Sequence, residues 1–197
     1  MIFFTSDTHF GHVNILKYCN RPFNSIEEHD EELIKRWNAK VSKNDIVYHL
    51  GDVGFGRNDY IKNILNCLNG TINLCIGNHD WRSIVKQQKW RFNEISQQYN
   101  LRIEGQHVIL NHYPFLCYSG VYHKPASWQL FGHVHTSPYS QETLDSPRLK
   151  MLFSTQYDVG VDNNNFTPIS FDEVSRIITD QQLSLGMYDK DNESLVE

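Results

Sequence analysis

Short apolar runs alternate with amphipathic stretches through the first half of this chain. Ile2-Phe3-Phe4-Thr5, Asp45 to Leu50 and Ile72 to Ile76 are rich in β-branched and aromatic residues and break off at small or polar ones, as buried strands do. Between them the period lengthens. A short helix is expected near Val13–Cys19. Ser25-Ile26-Glu27-Glu28 has the form of a capping box, and Ile26, Leu33, Ile34, Trp37 and Val41 then recur at helical spacing. Ile61, Ile64, Leu65 and Leu68 form another apolar face, which Asn69-Gly70 ends. A further helix is expected from about Trp81.

The second half changes character. Leu101–Glu104 and His107–Leu110, separated by Gly105-Gln106, predict a hairpin. Strands are expected at Trp128–Phe131, Lys150–Phe153 and Tyr157–Val161. Ser170-Phe171-Asp172-Glu173 is a second capping box, opening a helix to about Asp180. The order is βαβαβα, then mostly β, then a closing helix. With no repeat or linker in view, residues 1–183 are expected to form one domain and residues 184–197 a polar, mobile tail.

Composition narrows the function. The chain has 197 residues, 40% of them hydrophobic, enough for a sizeable core. A formal charge of −5 argues against a large nucleic-acid surface, so nucleic acid is not the expected partner. No stretch approaches the roughly 20 apolar residues of a membrane span. Cys19, Cys67, Cys75 and Cys117 show no metal-finger or disulfide-scaffold spacing. Cys67 and Cys75 fall in expected core elements, and all four read as thiols of a reducing compartment. A soluble cytoplasmic protein is the expectation.

The polar residues that close the strands carry the chemistry. Asp7-Thr8-His9, Gly51-Asp52, Gly77-Asn78-His79-Asp80, Asn111-His112 and Gly132-His133-Val134-His135 each follow an expected strand. In α/β sheets ligands gather beyond the carboxyl ends of strands, so these clusters can converge. Carboxylates suit hard divalent cations and imidazole suits Zn, Fe, Mn, Co and Ni. Two Asp, an Asn and at least four His would suit two adjacent divalent ions.

These blocks, in this order, resemble the calcineurin-like metallophosphoesterase superfamily, whose marks are D-x-H, GD, GNH[DE], H and GHxH. The resemblance covers about residues 1 to 180. It implies an α/β (α+β) fold of two facing mixed β-sheets flanked by helices, a four-layer αββα sandwich with the metals at one edge. It implies that Asp7, His9 and His135 hold a first metal, that Asn78, His112 and His133 hold a second, and that Asp52 bridges them. Mn is the first expectation for both ions, with Fe, Zn, Ni or Co also compatible. A metal-bridging hydroxide would attack phosphorus in line, without a phosphoenzyme. Asp52, Asn78 and His79 would form the catalytic core, His79 contacting the phosphate and protonating the leaving oxygen. Asp80 would orient His79 or the local backbone. Thr8, between two ligands, would face away.

Other positions divide between substrate and scaffold. His12 lies close to the site in sequence and is a candidate for touching substrate. His49 is expected in the core or behind the ligands, and His29 on the surface. Asp158 and Asp162 read as structural, with support of a ligand histidine as the alternative. Substrate-contact candidates are Asn14, Arg21, Arg57, Trp81, Arg82, Tyr113, Tyr118, Tyr122, Lys124 and Trp128. The run from Tyr118 to Pro125 reads as a loop over the site and a specificity element.

Departures from the superfamily's larger branches narrow the substrate. The arginines of the protein phosphatase motifs GDxxDRG and RGNHE are missing at Gly51-Asp52-Val53-Gly54-Phe55-Gly56 and Ile76-Gly77-Asn78-His79-Asp80. There is no room for the DNA-binding additions of the break-repair nucleases, and no basic membrane-facing insertion. The opening Thr5-Ser6-Asp7-Thr8-His9-Phe10-Gly11-His12 is similar to that of small bacterial and phage phosphoesterases. The expectation is a dinuclear metal-dependent phosphoesterase acting on a small phosphodiester or nucleotide-like substrate. A phosphomonoesterase or nucleotide pyrophosphatase, a nuclease, and a non-catalytic binding module on the same fold stay open as alternatives, as does the oligomeric state.

Overall fold

The computed structural model describes residues 1–137 and 149–184. One sheet has the order β4-β3-β2-β1-β9, built from β1 (Ile2–Thr5), β2 (Ile46–His49), β3 (Thr71–Cys75), β4 (Phe92–Ser96) and β9 (Ile169–Ser170). Its first four strands run parallel, and β9 pairs antiparallel with β1. The other sheet has the order β5-β6-β7-β8, from β5 (Gln98–Ile103), β6 (Gln106–Asn111), β7 (Trp128–Phe131) and β8 (Gln156–Asp158). Here β5 and β6 form a hairpin, while β6, β7 and β8 are parallel. The α/β class with two mixed sheets stands.

Strand alternation places one core on each face of the first sheet. Phe3, Val47, Ile72 and Leu74 pack against Leu33 and Trp37 of α2 (Ile26–Lys40) and Ile61, Ile64 and Leu65 of α3 (Asn58–Cys67). On the opposite face Phe4, Leu50 and Cys75 meet Val108, Leu110 and Leu130 of the second sheet, with Val174 and Ile178 of α4 (Phe171–Ser184) closing the same cluster. Both helix starts are capped. Ser25 Oγ accepts the Glu28 N–H at 3.1 Å, and Glu28 reaches back to the Asn24 N–H at 2.8 Å. At α4 the box is reciprocal, Ser170 Oγ accepting from Glu173 N–H at 3.2 Å and Glu173 from Ser170 N–H at 2.8 Å.

Several expected elements change. The helix near Val13–Cys19 is one turn, α1 (Ile15–Tyr18). The helix after Trp81 is a π-helical turn at Trp81–Val85 and a 3₁₀ turn at Lys89–Arg91, followed by the unexpected strand β4. The hairpin turns at Glu104-Gly105, one residue earlier than expected, because both residues take left-handed φ (50° and 86°) as a tight hairpin turn requires. No described strand covers Lys150–Phe153, where Met151 is 67% exposed. The strand expected from Tyr157 is the three-residue β8, and its chain continues only as a bridge between Gly160 and Ser6. α4 runs four residues beyond Asp180, to Ser184, and the rest of the expected tail lies outside the described residues. Cys67 is exposed at the end of α3, not in the core, whereas Cys75 is buried; all four cysteines are free thiols.

Candidate metal centre

The strand register brings the polar motifs together. Thr5, His49 and Leu74 stand level across the first sheet, so Asp7, Asp52 and the Gly77-Asn78 turn leave it at one edge. Leu110 and Leu130 stand level in the second sheet, and His112 and His133 follow. Backbone bonds tie these exits together. Asp7 N–H donates to Gly51 O at 2.9 Å, His9 N–H to Asp52 O at 3.0 Å, and Gly132 N–H to His112 O at 3.0 Å. His133 N–H crosses between the sheets to Asp7 Oδ2 at 2.9 Å.

Two triads result, Asp7–His9–His135 and Asp52–His112–His133, each with its ligand-type atoms within 4.8 Å of one another. Asp52 Oδ2 lies 3.7 Å from His9 Nε2 and 3.6 Å from His112 Nε2, between the two. Asn78 Oδ1 lies 2.9 Å from His112 Nε2. All seven residues expected to hold metal are thus collected in one place. His79 joins them differently. Its N–H donates to Asp52 Oδ1 at 2.9 Å, while its ring is 42% exposed with Nε2 3.9 Å from Asp52 Oδ2.

The backbone here is held in an uncommon conformation. Asp7, His9, Asp52, His133 and His135 all have left-handed φ, between 49° and 71°. Each such residue other than glycine costs on the order of 1 kcal/mol, and clustering of that strain is typical of functional sites. The glycines beside these residues are there for closeness. A Cβ on Gly77 would overlap the Asp52 carboxylate, and one on Gly132 would overlap Ser6 and Asp7.

Two buried atoms in the first triad, Asp7 Oδ1 and His9 Nε2, have no hydrogen-bond partner and lie 4.0 Å apart. Buried polar atoms left unsatisfied are rare and call for an explanation. A divalent cation between them would satisfy both, and the carboxylate-imidazole donor set fits such an ion. Charge is also out of balance. Burial holds His9 well below its ordinary pKa, with nearby His135 and Arg21 adding to the effect. Burial also lowers His133 and raises Asp52, the latter opposed by His112. For His135 burial is outweighed by the Asp7 and Asp162 carboxylates, which push it up to about 11.

Behind the triads is a scaffold of buried polar bonds. Arg21 donates Nε and Nη2 to both oxygens of Asp162 (2.8 and 2.7 Å), and also donates to the carbonyls of Asp7 (2.7 Å) and Thr8 (3.1 Å). Asp162 Oδ2 in turn meets His135 Nδ1 at 2.8 Å. Burial opposes ionisation of Asp162, but Arg21 and His135 hold it down to about 2. Cys19, His135 and Asp162 also form a compact group, which the sequence did not suggest. Asp80 orients backbone: it accepts the N–H of Asp52, Val53 and Gly77 at 2.8–2.9 Å. Thr8 does face away, donating to Val53 O at 2.8 Å and meeting His49 Nε2 at 2.9 Å. Burial drives His49 down to about 3, a neutral core histidine. Asp158 accepts from Thr136 and Gly160 and so braces the chain beyond His135. Arg21 and Asp162, placed among substrate contacts and structural residues by sequence, act together behind His135.

Of the remaining candidates, His12 and Tyr113 stay beside the centre, the Tyr113 ring meeting His133 at 4.6 Å, and others lie away from it. His12 meets His9, Nδ1 to Nδ1, at 3.2 Å. Arg82 and Trp81 are exposed on the turn after Asp80, and Trp128 is buried in β7. The rings of Tyr118 and Tyr122 meet Phe153, and the Tyr118 hydroxyl meets Thr155. His29, expected on the surface, is fully buried between Arg21 Nη1 (2.8 Å) and Asp30 (2.7 Å). Its signal was in the sequence: His29 shares the helical stripe of Ile26, Leu33 and Trp37.

Two mixed sheets with clustered metal-ligand chemistry at one edge define a metallophosphoesterase fold. A family model of calcineurin-like phosphoesterases matches residues 1–164, and the chain belongs to that family, whose activity is metal-dependent hydrolysis of phosphate esters. It is 36% identical over 179 residues to an uncharacterized protein of Methanocaldococcus jannaschii, covering 90% of each chain. It is 28% identical over 204 residues to the Gene 66 protein of Mycobacterium phage D29, covering 91% of this chain and 96% of the phage protein. The solved structure of a protein of unknown function from Aquifex aeolicus superposes with a TM-score of 0.70 at 26% identity, covering 90% of this chain and 98% of that one. No helix among the described residues is long and apolar enough to cross a membrane.

Proposed function

We propose that the chain hydrolyses a small phosphodiester at a centre of two divalent metal ions. The observation that carries this reading is the position of Asp52 Oδ2, 3.7 Å from His9 and 3.6 Å from His112, between two triads of ligand type. Asp7, His9 and His135 would hold one ion, Asn78, His112 and His133 the other, and Asp52 would bridge. Ions bound there supply charge neutralisation for the phosphate oxygens and an activated water at neutral pH. The chain's own part is positioning. Asp52 is fixed through its N–H by Asp80 and through Oδ1 by the His79 N–H. The half-exposed His79 ring stands at the mouth, where it can contact the phosphate and give a proton to the leaving oxygen.

Arg21 is not a contact for the phosphate. Its guanidinium is fully buried and engaged with Asp162 and two carbonyls, so it has nothing to offer a phosphate oxygen.

The test is hydrolysis of bis-p-nitrophenyl phosphate against p-nitrophenyl phosphate, with metal-stripped protein, Mn²⁺ added back, and the His79→Ala variant alongside. Faster diester cleavage that disappears on chelation and in the variant is the expected result. Faster monoester cleavage would overturn the diester assignment, and cleavage indifferent to chelation would overturn the metal centre.

A further inference from the structure

Beside the His133 half of the centre is a cavity of about 530 Å³, walled by Tyr113, Phe115, Leu116, Val134 and Met151 among others and sharing His133 with the second triad. None of its described lining residues is acidic, basic like Lys or Arg, or an amide. The volume falls within the range of small-molecule sites and exceeds what a phosphate alone would fill. Tyr113 spans the two regions: its ring meets the His133 ring edge-on at 4.6 Å, and its hydroxyl lies 3.4 Å from Asn78 Oδ1. Large apolar side chains stand open to water around it, Leu116 at 77% and Met151 at 67% exposure. Clustered exposed apolar surface beside a polar centre is the usual form of a site for an amphipathic ligand.

Resting on the metal-centre reading above, we propose that this cavity receives the organic group of the phosphate ester, and that the group is an uncharged aromatic ring. The phosphate sits at the triads while the ring lies among Tyr113, Phe115, Leu116 and Met151. Aromatic walls favour a flat ring over an alkyl chain of similar area, because stacked or edge-on ring contacts add to simple burial. The specificity element of this proposal is Tyr113–Leu116 with Met151, while in the run expected to serve, Tyr118 to Pro125, both tyrosines meet Phe153 and Tyr122 stays 84% exposed.

Calorimetric titration of the Mn²⁺-loaded His79→Ala protein with methyl, butyl and phenyl phosphate, each one organic half of such a diester, tests this with turnover suppressed. Phenyl phosphate should bind at least about tenfold more tightly than methyl phosphate, from the ring area buried, and more tightly than butyl phosphate. Replacing the exposed Leu116→Gln and Met151→Gln should bring phenyl phosphate to within about threefold of methyl phosphate by removing most of that burial, while methyl phosphate binding stays the same. Equal affinity for methyl and phenyl phosphate, or an unaffected double variant, would overturn the cavity assignment alone. Butyl phosphate binding as well as phenyl would overturn the aromatic part. Methyl phosphate binding that ignores Mn²⁺ would overturn the metal centre and this inference with it.

Discussion

The Asp80 carboxylate accepts the backbone N–H of Asp52 at 2.8 Å, linking the loop after β3 to the residue that stands between the two triads. The same carboxylate takes the N–H of Val53 and Gly77, so three backbone donors of two loops converge on one buried side chain. Asp52 has a left-handed φ of 56°, and these bonds hold it there. An amide at position 80 would turn a donor toward one of these donors. Asp80→Asn is expected to cost about 1–3 kcal/mol of stability and to weaken Mn²⁺ binding about tenfold or more. Thermal unfolding and metal titration check it. Unchanged metal affinity would mean that Asp80 supports only the fold.

Asp162 supports His135 in the same manner from the other side. Asp162→Asn removes the charge that faces His135 Nδ1 at 2.8 Å and should weaken metal binding about 10–100-fold, and it also costs stability by leaving the buried Arg21 guanidinium without its counter-charge. Arg21→Ala breaks the pair from the other side. It strands the Asp162 carboxylate without its buried partner, at a cost of about 3–5 kcal/mol. If Asp162→Asn titrated with Mn²⁺ like the parent, Asp162 would not support His135 as a ligand.

The sequence made the candidate ligand residues legible because they stand in the family's motif blocks, each just after a short apolar strand. Most individual strands and both capped helices were legible because periodicity and capping are local, whereas the pairing of two sheets came from the family resemblance. What could not be read is long-range. Arg21 and Asp162 are 141 positions apart, and nothing local joins them. β4 (Phe-Asn-Glu-Ile-Ser) is a polar edge strand without an apolar run, and β9 has two residues, fixed by pairing with β1 alone. Lys150–Phe153 carried an apolar run, but its Met151 faces outward beside the cavity, a position that ordinary core periodicity misreads. The left-handed backbone at Asp7, His9, Asp52, His133 and His135 was equally hidden, because only a few per cent of non-glycine residues adopt it, even though Asp and His do so more often than most.

Metal content separates the roles proposed for Asp52 and His79. Asp52 faces both triads, so Asp52→Asn should lower the occupancy of both ions together. His79 lies outside both triads and keeps an exposed ring, so His79→Ala should bind metal like the parent. Its turnover should fall about 10²–10⁴-fold, the usual contribution of a positioned acid. Elemental analysis after gel filtration reads both. Loss of one ion in Asp52→Asn would end the bridging assignment, and loss of metal in His79→Ala would make His79 a ligand.

Away from the centre, pH tests the join between α2 and α4. Lys40 Nζ lies 2.9 and 3.0 Å from the two oxygens of Glu173, which also accepts the Ser170 N–H and hydroxyl. Partial burial works against ionisation of Glu173, but these donors outweigh it and bring the carboxyl from 4.5 down to about 2. A carboxyl that is more acidic when folded stabilises fully above its unfolded pKa. That stabilisation fades as pH falls from about 4.5 toward 2 and the folded chain must take up the proton. The pair is about one-third exposed, so solvent screening limits its size. Glu173→Gln should therefore melt about 2–4 °C below the parent near neutral pH, and the two should approach each other as pH drops into that window. Melting curves of both proteins at matched ionic strength check this. A gap that stays constant with falling pH would assign the loss to the α4 cap geometry and not to the Glu173 charge.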